Sequence, residues 1–280
     1  MRVLVTGGSG YVGGTVVARL AREHDVLVYD RAAPQADAEF MEGDILDPDA
    51  LKAAMVGVEG VVHLAAIPVP FRDPDDDVMM VNVMGCERVV AAASAMGVRR
   101  LIAASSDSSY GFVFSDGAIV PEYLPVDEEH PQRPADAYGL SKLIDEEICR
   151  RYTRLSAIET ICLRYCWVWS QREYDLIEGL QLQPETFVGQ LWGYIDVRDV
   201  AQGCSKALAA PDITHETLLL SARRTFMNRP SVELIDEFLP TAVEVKSAWL
   251  ADEPQRCLAD CSRAGETIGF EPEYDWEDCV

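Results

Sequence analysis

The sequence is poor in lysine and has no long apolar run. Four of its 280 residues are lysine, whereas aspartate and glutamate total 47, and the formal net charge is −23. Because nucleic acids and anionic membranes are bound through basic patches, this charge argues against both as partners. No apolar run reaches the ~18–20 residues of a membrane span, and no signal-peptide pattern is present. We therefore expect a cytoplasmic protein.

An acidic, lysine-poor surface is also typical of proteins that stay hydrated in concentrated salt. At about 1 M ionic strength the Debye length falls to ~3 Å, so the repulsion between carboxylates is screened. We interpret the composition as halophilic. An ordinary acidic protein with a solvated surface is the alternative interpretation.

The eight cysteines form no CxxC pair. Cys162 and Cys166 are four residues apart, as are Cys257 and Cys261, but no histidine lies near either pair to complete a zinc site. We therefore expect no bound metal, and we interpret most of the cysteines as reduced thiols in the core.

β-Branched apolar runs alternate with helical patterns along the first 165 residues. Near-continuous apolar strands between helices predict a parallel sheet with helices on both faces, and hence an α/β fold. The predicted strands lie at residues 2–6, 25–30, 38–42, 60–65, 100–105 and 157–164, and the predicted helices at 11–22, 48–56, 77–96 and 137–154. Farther along, the pattern predicts a helix at 195–209, a strand at 217–221, and a helix at 231–238 with Ser231 as its N-cap.

A glycine-rich segment follows the first strand and opens the first helix. Gly7 allows the tight turn, Gly10 lets the backbone approach a pyrophosphate, and Gly13 lets helix and strand pack closely. The helix start, at Tyr11 and Val12, offers N–H groups and a positive dipole end to phosphate. The segment predicts a dinucleotide site on a Rossmann fold, that is, a doubly wound parallel sheet.

The domain boundaries follow from the point where the alternation weakens. We assign residues 1–165 to the dinucleotide-binding Rossmann domain, with return elements near residues 194–221. We assign residues 166–280 to a small C-terminal lobe that binds the substrate. No linker rich in proline, glycine or serine separates the two, so we expect the lobe to pack directly on the Rossmann core.

Asp30 ends the second strand, roughly 20 residues beyond the glycines, where an acid accepts hydrogen bonds from the adenosine ribose. A carboxylate at that position repels a 2′-phosphate, so the sequence favours NAD over NADP. Arg31 follows directly, and an arginine there is able to pair with a 2′-phosphate. The sequence therefore favours NAD but does not exclude NADP.

Tyr138 and Lys142 lie four residues apart in a predicted helix and so share one face. An ammonium near the phenol lowers the pKa of the tyrosine by stabilising phenolate. The strand that ends at Ser105 and Ser106 delivers a hydroxyl to the carboxyl edge of the sheet, where α/β proteins bind ligands. These residues predict acid–base catalysis by Ser106, Tyr138 and Lys142.

The ordered motifs resemble the extended short-chain dehydrogenases and the NAD-dependent sugar epimerases and dehydratases. They are TGGSGYVG from Thr6, Asp30, GDI from Gly43, HLAA from His63, Asn82, SS from Ser105, YG from Tyr110, Tyr138-x-x-x-Lys142, LRY from Leu163 and YIDVRDV from Tyr194. The resemblance spans nearly the whole chain and implies an enzyme with NAD as its cofactor.

The resemblance also implies a role for individual residues. Tyr138 would be the acid/base on a sugar hydroxyl, Lys142 would hold the nicotinamide ribose, and Ser106 would hydrogen-bond the reacting oxygen. Asp44 and Ile45 would flank the adenine. The remaining cofactor contacts it implies are Leu64, Ala65 and Ala66 after the fourth strand, Asn82 from its helix, and Tyr165 beside the nicotinamide carboxamide. Family members often pair through the helix that carries the Tyr-x-x-x-Lys motif, so we expect a homodimer.

The lobe is shorter than in nucleotide-sugar enzymes, with about thirty residues between Leu163 and Tyr194. In this it resembles uronate dehydrogenases, which oxidise a hexuronate to a lactone. Asp107 makes the rim of the site more polar than is usual and is a candidate substrate contact. Arg172 either clamps a substrate carboxylate or pairs with an acid such as Glu173 at the surface. Trp167, Trp169 and Trp192 either wall a sugar pocket or pack in the core.

The sequence is therefore compatible with three functions. The first is an NAD-dependent dehydrogenase that oxidises a sugar or sugar acid. The second is a nucleotide-sugar 4-epimerase or dehydratase that retains NAD tightly. The third is a protein that senses NAD without catalysis, and the combination of Ser106, Tyr138 and Lys142 argues against it.

Overall fold

The computed structural model describes residues 1–115 and 119–280. Its strands are β1 (Arg2–Thr6), β2 (Asp25–Asp30), β3 (Glu39–Glu42), β4 (Gly60–His63), β5 (Arg100–Ser106), β6 (Tyr123–Leu124), β7 (Glu159–Tyr165), β8 (Trp167–Trp169), β9 (Tyr194–Asp196), β10 (His215–Leu220) and β11 (Glu244–Val245). Within the described residues, seven of them form one parallel sheet in the order β3-β2-β1-β4-β5-β7-β10. The order runs outward in both directions from β1 and β4, as a doubly wound sheet requires.

Helices cover both faces of this sheet. They are α1 (Gly13–Leu20), α2 (Pro48–Ala54), α3 (Asp75–Val78), α4 (Gly85–Ala95), α5 (Ala137–Leu155), α6 (Gln171–Tyr174), α7 (Ile177–Gln181), α8 (Val197–Ala209), α9 (Ser231–Phe238) and α10 (Ser262–Ile268). One core cluster packs α1, α8 and α10 on one face, and a second packs α2, α4 and α5 on the other. The predicted α/β Rossmann fold is confirmed.

The central strands are buried on both faces, which explains their unbroken apolar sequences. Val3, Leu4 and Val5 of β1 have no exposed surface. In the sheet, Val5 lies between Val28 of β2 and Val62 of β4. β-Branched side chains fill this pleated, two-sided interior well, so the local sequence and the buried position favour the same structure.

The C-terminal part of the chain forms a lobe with its own core at the carboxyl edge of the sheet. Strand β8 pairs with β9 and β6 pairs with β11, both in parallel. Trp169 and Trp192 are fully buried in the core of this lobe. They pack in the interior rather than walling a sugar pocket, because aromatic neighbours surround them: Trp169 lies 4.7 Å from Tyr194 between ring centroids.

The helical stretch Asp75–Ala95 comprises α3, a π-helical turn and α4. By length and composition alone it is apolar enough to cross a membrane. Its residues Cys86, Val89 and Val90 are buried between α2, α5 and the sheet. This stretch is therefore a core helix of the fold.

The sequence located most elements to within two or three residues. The bounds predicted for β1, β2 and the helix at 231–238 match those observed. The predicted N-cap at Ser231 is wrong, because the cap position is Pro230 and the Ser231 hydroxyl instead donates to the carbonyl of Arg256 at 2.8 Å. That partner is distant in sequence, so a local capping pattern could not reveal it.

A buried ion pair fixes α5 against the sheet. Arg164 of β7 donates two parallel hydrogen bonds of 2.8 Å to the carboxylate of Glu146 on α5. The Ser105 hydroxyl donates to the same carboxylate at 2.6 Å, and Arg164 also donates to the Tyr110 hydroxyl at 2.9 Å. Both charged side chains are at most 4% exposed. Their charges are compensated by this network, as a buried pair requires.

We expect Glu146→Gln to lower the free energy of unfolding by about 3 kcal/mol, because it leaves the buried Arg164 charge uncompensated. Chemical denaturation followed by circular dichroism measures this. Glu147→Gln, the same change on the exposed face of α5, serves as the control and should change stability by less than about 0.5 kcal/mol. Equal effects of the two variants would contradict the role of the pair.

Candidate active site

The glycine segment forms a cradle that side chains would fill. Gly7 has φ +73°, and a Cβ there would lie 2.5 Å from the Ala65 backbone nitrogen. A Cβ on Gly13 would overlap the Gly7 carbonyl oxygen. The first turn of α1 has no side-chain cap, so its free N–H groups remain available to an anion. This backbone fits the pyrophosphate of a dinucleotide.

Asp30 lies beside this cradle. Its carboxylate accepts hydrogen bonds from the backbone N–H of Ser9 at 3.0 Å and of Arg31 at 2.7 Å. Carboxylate oxygens have further acceptor capacity for ribose hydroxyls. Arg31 is exposed and makes no ion pair within residues 1–115 and 119–280. Asp30 and Arg31 are thus both available to an adenosine ribose, and the preference for NAD at this position stays a prediction from the sequence.

A cavity of about 670 Å³ runs from the glycine segment to the lobe. The predicted site residues that line it are Gly7, Gly10, Tyr11, Val12, Gly13, Leu64, Ala66, Ser106, Asp107, Tyr138, Lys142, Tyr165 and Arg172. They come from the ends of β1, β4, β5 and β7 and from α5 and α6, so residues far apart in sequence meet at one cavity.

The other predicted contacts lie around the cavity and not on its wall. Ala65 packs against Gly7, and Ile45 packs against Gly85 of α4. The backbone carbonyl of Asp44 accepts a hydrogen bond of 2.9 Å from the Tyr29 hydroxyl. Their expected contacts with the cofactor therefore stay predictions.

Asn82 links two walls of the site. Its amide accepts from the Ile67 N–H at 2.8 Å and donates to the Ser141 hydroxyl at 3.0 Å. It is 1% exposed and lies behind the cavity. Asn82 thus ties the loop after β4 to the helix that carries Tyr138 and Lys142, which is a supporting role.

Tyr138 and Lys142 face the same ligand space. The Lys142 ammonium lies 5.7 Å from the centroid of the Tyr138 ring. Burial raises the pKa of Tyr138, while Lys142 and Ser106 act to lower it. The lowering effect expected of Lys142 is present, but desolvation of the phenolate outweighs it in the free protein, so that the pKa of Tyr138 is raised. A nicotinamide ring held between Tyr138 and Lys142 would supply a second positive charge near the phenol.

Ser106 is held by its own turn. Its hydroxyl oxygen accepts a hydrogen bond from the Ser108 backbone N–H at 3.1 Å, and lies 3.2 Å from the Asp107 carboxylate. Burial raises the pKa of Asp107 to about 7, and its hydrogen bonds to Ser106 and Cys166 oppose the shift. A carboxyl group that changes charge near neutral pH therefore faces the substrate end of the cavity.

The lobe supplies further wall residues, of which the sequence had indicated Trp167 as a possible pocket wall but not Gln190 or Glu173. Trp167, Gln190 and Glu173 line the cavity. The Glu173 carboxylate accepts a hydrogen bond of 2.6 Å from the Tyr11 hydroxyl and one of 2.9 Å from the Ser170 N–H. The contact with Tyr11 joins segments 162 residues apart, and no sequence spacing predicts it. The contact with Ser170 is part of a capping box at the start of α6.

Arg172 is not paired with Glu173. Glu173 is occupied by Tyr11 and Ser170, and Arg172 forms no ion pair or side-chain hydrogen bond in the described part of the chain. Its side chain lines the cavity. Of the two interpretations of Arg172, the surface pair with Glu173 is wrong, and the cation remains available to a ligand.

A second cavity of about 630 Å³ adjoins the first and shares Val113, Phe114 and Gln190 with it. Its other lining residues are Phe71, Val120, Glu185, Thr186, Val188, Gly189, Phe238 and Pro240. Within the described residues, Glu185 is the charged side chain of this lining and no basic one contributes. This second cavity thus has a mixed polar and apolar wall with a weakly acidic character.

The chain is similar to curated enzymes of two kinds. It is 34% identical to a putative UDP-glucose 4-epimerase of Methanocaldococcus jannaschii, over 99% of this chain and 95% of that protein. It is 33% identical to an L-arabinose 1-dehydrogenase (NAD(P)(+)) of Haloferax volcanii, over 79% and 88% of the respective chains. It is 28% identical to a uronate dehydrogenase of Pseudomonas putida, over 90% and 91%.

The chain is also similar to solved structures and matches a family model. A short-chain dehydrogenase/reductase superfamily protein from Agrobacterium tumefaciens with bound NAD superposes with a TM-score of 0.77 at 28% identity, over 100% of this chain and 94% of the other. The UDP-glucose 4-epimerase from Brucella ovis in complex with NAD superposes with a TM-score of 0.73 at 25% identity, over 100% and 96%. Residues 3–218 match the model of the NAD dependent epimerase/dehydratase family. The chain therefore belongs to the NAD-dependent epimerase/dehydratase family, and its cofactor is NAD.

Proposed function

We propose that the protein is a dehydrogenase that oxidises a hydroxyl group of a free sugar or sugar acid with NAD. The observation that carries the proposal is the charge of the second cavity. A nucleotide-sugar with its sugar at Tyr138 would extend its diphosphate into that space, because NAD held by the glycine segment would fill the opposite end of the first cavity. Diphosphates are bound through arginine, lysine or a metal, whereas the charged residue there is Glu185.

The acid–base step follows from the side chains on the wall. When bound, NAD accepts a hydride from the carbon that carries the reacting hydroxyl. Tyr138 as phenolate removes the hydroxyl proton, and Ser106 donates a hydrogen bond to the same oxygen. Lys142 stabilises the phenolate through its positive charge. Lys142 is 5% exposed, so little water competes for its charge.

The comparisons also support a small substrate. The arabinose dehydrogenase and the uronate dehydrogenase act, by their names, on sugars without a nucleotide. Arg172 provides an unpaired cation for a uronate carboxylate, whereas Asp107 suits the hydroxyls of a neutral aldose. The substrate class therefore depends on which of these two residues contacts the ligand.

The alternative function is a UDP-hexose 4-epimerase or dehydratase with tightly bound NAD. The relative that matches 99% of the chain is named as a putative epimerase. The hydrogen bond from Tyr11 to Glu173 also joins the two walls of the cavity, as expected if NAD is retained between turnovers. Interconversion of UDP-glucose and UDP-galactose without net NADH, by protein purified with NAD bound, would establish this alternative.

We expect Tyr138→Phe to lower kcat for NAD reduction by at least ~100-fold, because the variant cannot accept the hydroxyl proton. Absorbance of NADH measures the rate with aldoses and hexuronates in high salt. The affinity for NAD, measured by calorimetry, should stay within about twofold of that of the unmodified protein. A screen that yields no NADH with any of these sugars would reject the dehydrogenase function itself.

We expect Arg172→Gln to raise KM for a hexuronate by about tenfold or more, because it removes a charge-assisted contact to the carboxylate. KM for a neutral aldose and the affinity for NAD should not change. Arg263→Gln, on the distant surface, is the matched control. An equal increase for both sugars would assign Arg172 to the structure of the lobe rather than to recognition of the carboxylate.

Titration of Asp107 should make KM for a hexuronate depend on pH. Because its pKa is about 7, the group is neutral below that pH and negative above it. We expect KM for a hexuronate to rise as the pH increases through 7, since two carboxylates then repel, while KM for a neutral aldose stays level. Asp107→Asn should remove this rise. A rise that persists in the variant would place the titrating group elsewhere.

We further propose that the protein is a homodimer of the reduced cytoplasm, adapted to salt. Leu140 of α5 is 40% exposed, and Met80 and Met84, on the adjoining π-helical turn, are 48% and 39% exposed. These three side chains form an exposed apolar surface. Contact with a second copy of the chain would remove this surface from water, which would stabilise a dimer. The eight cysteines are free, as in reducing compartments.

Leu140→Glu should convert the dimer to a monomer in light scattering, because it places a charge at the centre of this surface. Leu155→Glu, at the exposed end of the same helix, is the control and should leave the mass unchanged. Thermal unfolding in 0.1 M and 2 M KCl tests the salt adaptation, which requires higher stability at the higher salt concentration. A monomeric unmodified protein would exclude the dimer.

A further inference from the structure

Lys142 has a buried carboxylate partner that neither the motif nor the proposed function includes. Its ammonium donates hydrogen bonds to the Asp145 carboxylate at 3.2 Å and to the Ala104 carbonyl at 3.1 Å. The two side chains are 6% and 5% exposed. Two of the three ammonium protons are thus occupied by fixed acceptors, and the third is free for a ligand in the cavity.

The carboxylate matters because the ammonium is buried. Desolvation disfavours the charged form of a lysine and lowers its pKa, by up to several units for a fully buried amine. In this structure burial lowers the pKa of Lys142, but Asp145 and Tyr138 more than offset it, so that the pKa is raised. Asp145 is therefore the group that keeps Lys142 positive inside the protein.

A purely structural role does not explain Asp145. An apolar side chain would fill this position at lower cost, since a buried charge loses its hydration. The second carboxylate oxygen has no hydrogen-bond partner in the described part of the chain. Burial raises the pKa of Asp145 to about 6, and Lys142 and the Cys86 thiol oppose this shift. Its principal polar contact is the lysine of the active site.

The geometry points to Asp145 as a positioning residue: it holds the Lys142 ammonium protonated and aimed between the Ala104 carbonyl and the cavity. Tyr138 then ionises beside a fixed positive charge rather than beside a neutral amine. Proton removal by Tyr138 belongs to both oxidation and epimerisation, so this role does not depend on which substrate the enzyme takes.

The other titratable groups around Asp145 do not replace it. Glu146, next on α5, is occupied by Arg164. His63 of β4 is neutral, because burial lowers its pKa to about 3. Burial and thiol–thiol contacts raise the pKa of Cys149, and Cys86 of α4 also titrates above its ordinary range. Between about pH 7 and 9, Asp145 is thus the negative charge that faces Lys142.

The scarcity of lysine allows a direct test that needs no substrate. With four lysines in the chain, the ¹³Cε signals of labelled lysine can be assigned by single substitutions, and Lys142→Met identifies that of Lys142. The pH titration of this signal reports its protonation. We expect Lys142 in the unmodified protein to stay protonated through pH 10, and Asp145→Asn to lower its titration midpoint by at least about one pH unit.

Two further variants separate the charge of Asp145 from its shape. Asp145→Glu keeps the charge and should keep the midpoint high, whereas Asp145→Leu should lower it as Asp145→Asn does while preserving the packing. Glu147→Gln, the same chemical change on the exposed face of α5, should have no effect. If Asp145→Asn proves unfolded by circular dichroism, the leucine variant decides the question.

The lower titration midpoint of Lys142 in Asp145→Asn should also appear in the pH dependence of cofactor binding. The affinity for NADH, followed by its fluorescence, should begin to decline at a pH at least about one unit lower in Asp145→Asn than in the unmodified protein, because a neutral Lys142 loses its charge-assisted contact. A Lys142 midpoint that does not move in Asp145→Asn or Asp145→Leu overturns the inference. Absence of activity on every sugar would instead reject the proposed dehydrogenase and leave this result standing.

Discussion

The active site depends on the buried ion pair between Arg164 and Glu146. The helix α5 carries Tyr138 and Lys142 on one face, and the pair joins the middle of this helix to β7 beside the end of β5. The carboxylate of Glu146 also receives the Ser105 hydroxyl, one residue before Ser106. One network therefore sets the distance between the serine, the tyrosine and the lysine. Because a buried pair tolerates little displacement without losing its compensation, it holds that geometry more firmly than apolar packing alone would.

The sequence predicts the parts of this enzyme that local chemistry determines. The glycines, Asp30 and the Tyr138–Lys142 spacing are recognisable because turns, strand ends and helix periodicity each impose a residue type at a fixed interval. Contacts between distant segments impose no such interval. The bond between Tyr11 and Glu173, the bond from Ser231 to Arg256 and the burial of Trp169 are visible in the folded chain alone. Asp145 belongs to this second group: its position on the helix is evident, but its burial depends on α4.

Burial also determines the net shift of the Tyr138 pKa. A neighbouring ammonium lowers the pKa of a phenol, and Lys142 does so here, yet the desolvation of Tyr138 is larger. The sum of the two effects cannot be read from spacing, since it depends on how much water the folded protein excludes. The site is therefore an arrangement of opposed charges, with Asp145, Lys142 and Tyr138 in sequence along one face of α5. A positively charged cofactor bound beside them would favour ionisation of the phenol.

Trp167, Arg172 and Gln190 lie in one short stretch of chain, whereas the cleft for the dinucleotide draws on segments from Gly7 to Lys142. The lobe wall is thus largely separate in sequence from the dinucleotide cleft, although Asp107 lies among the cleft segments and Glu173 is bonded to Tyr11. In evolutionary terms, an insertion, deletion or exchange within residues 174–193 changes the lobe wall and leaves the Ser106, Tyr138 and Lys142 side chains in place. This separation offers a physical reason why epimerases of nucleotide-sugars and dehydrogenases of free sugars share one sheet.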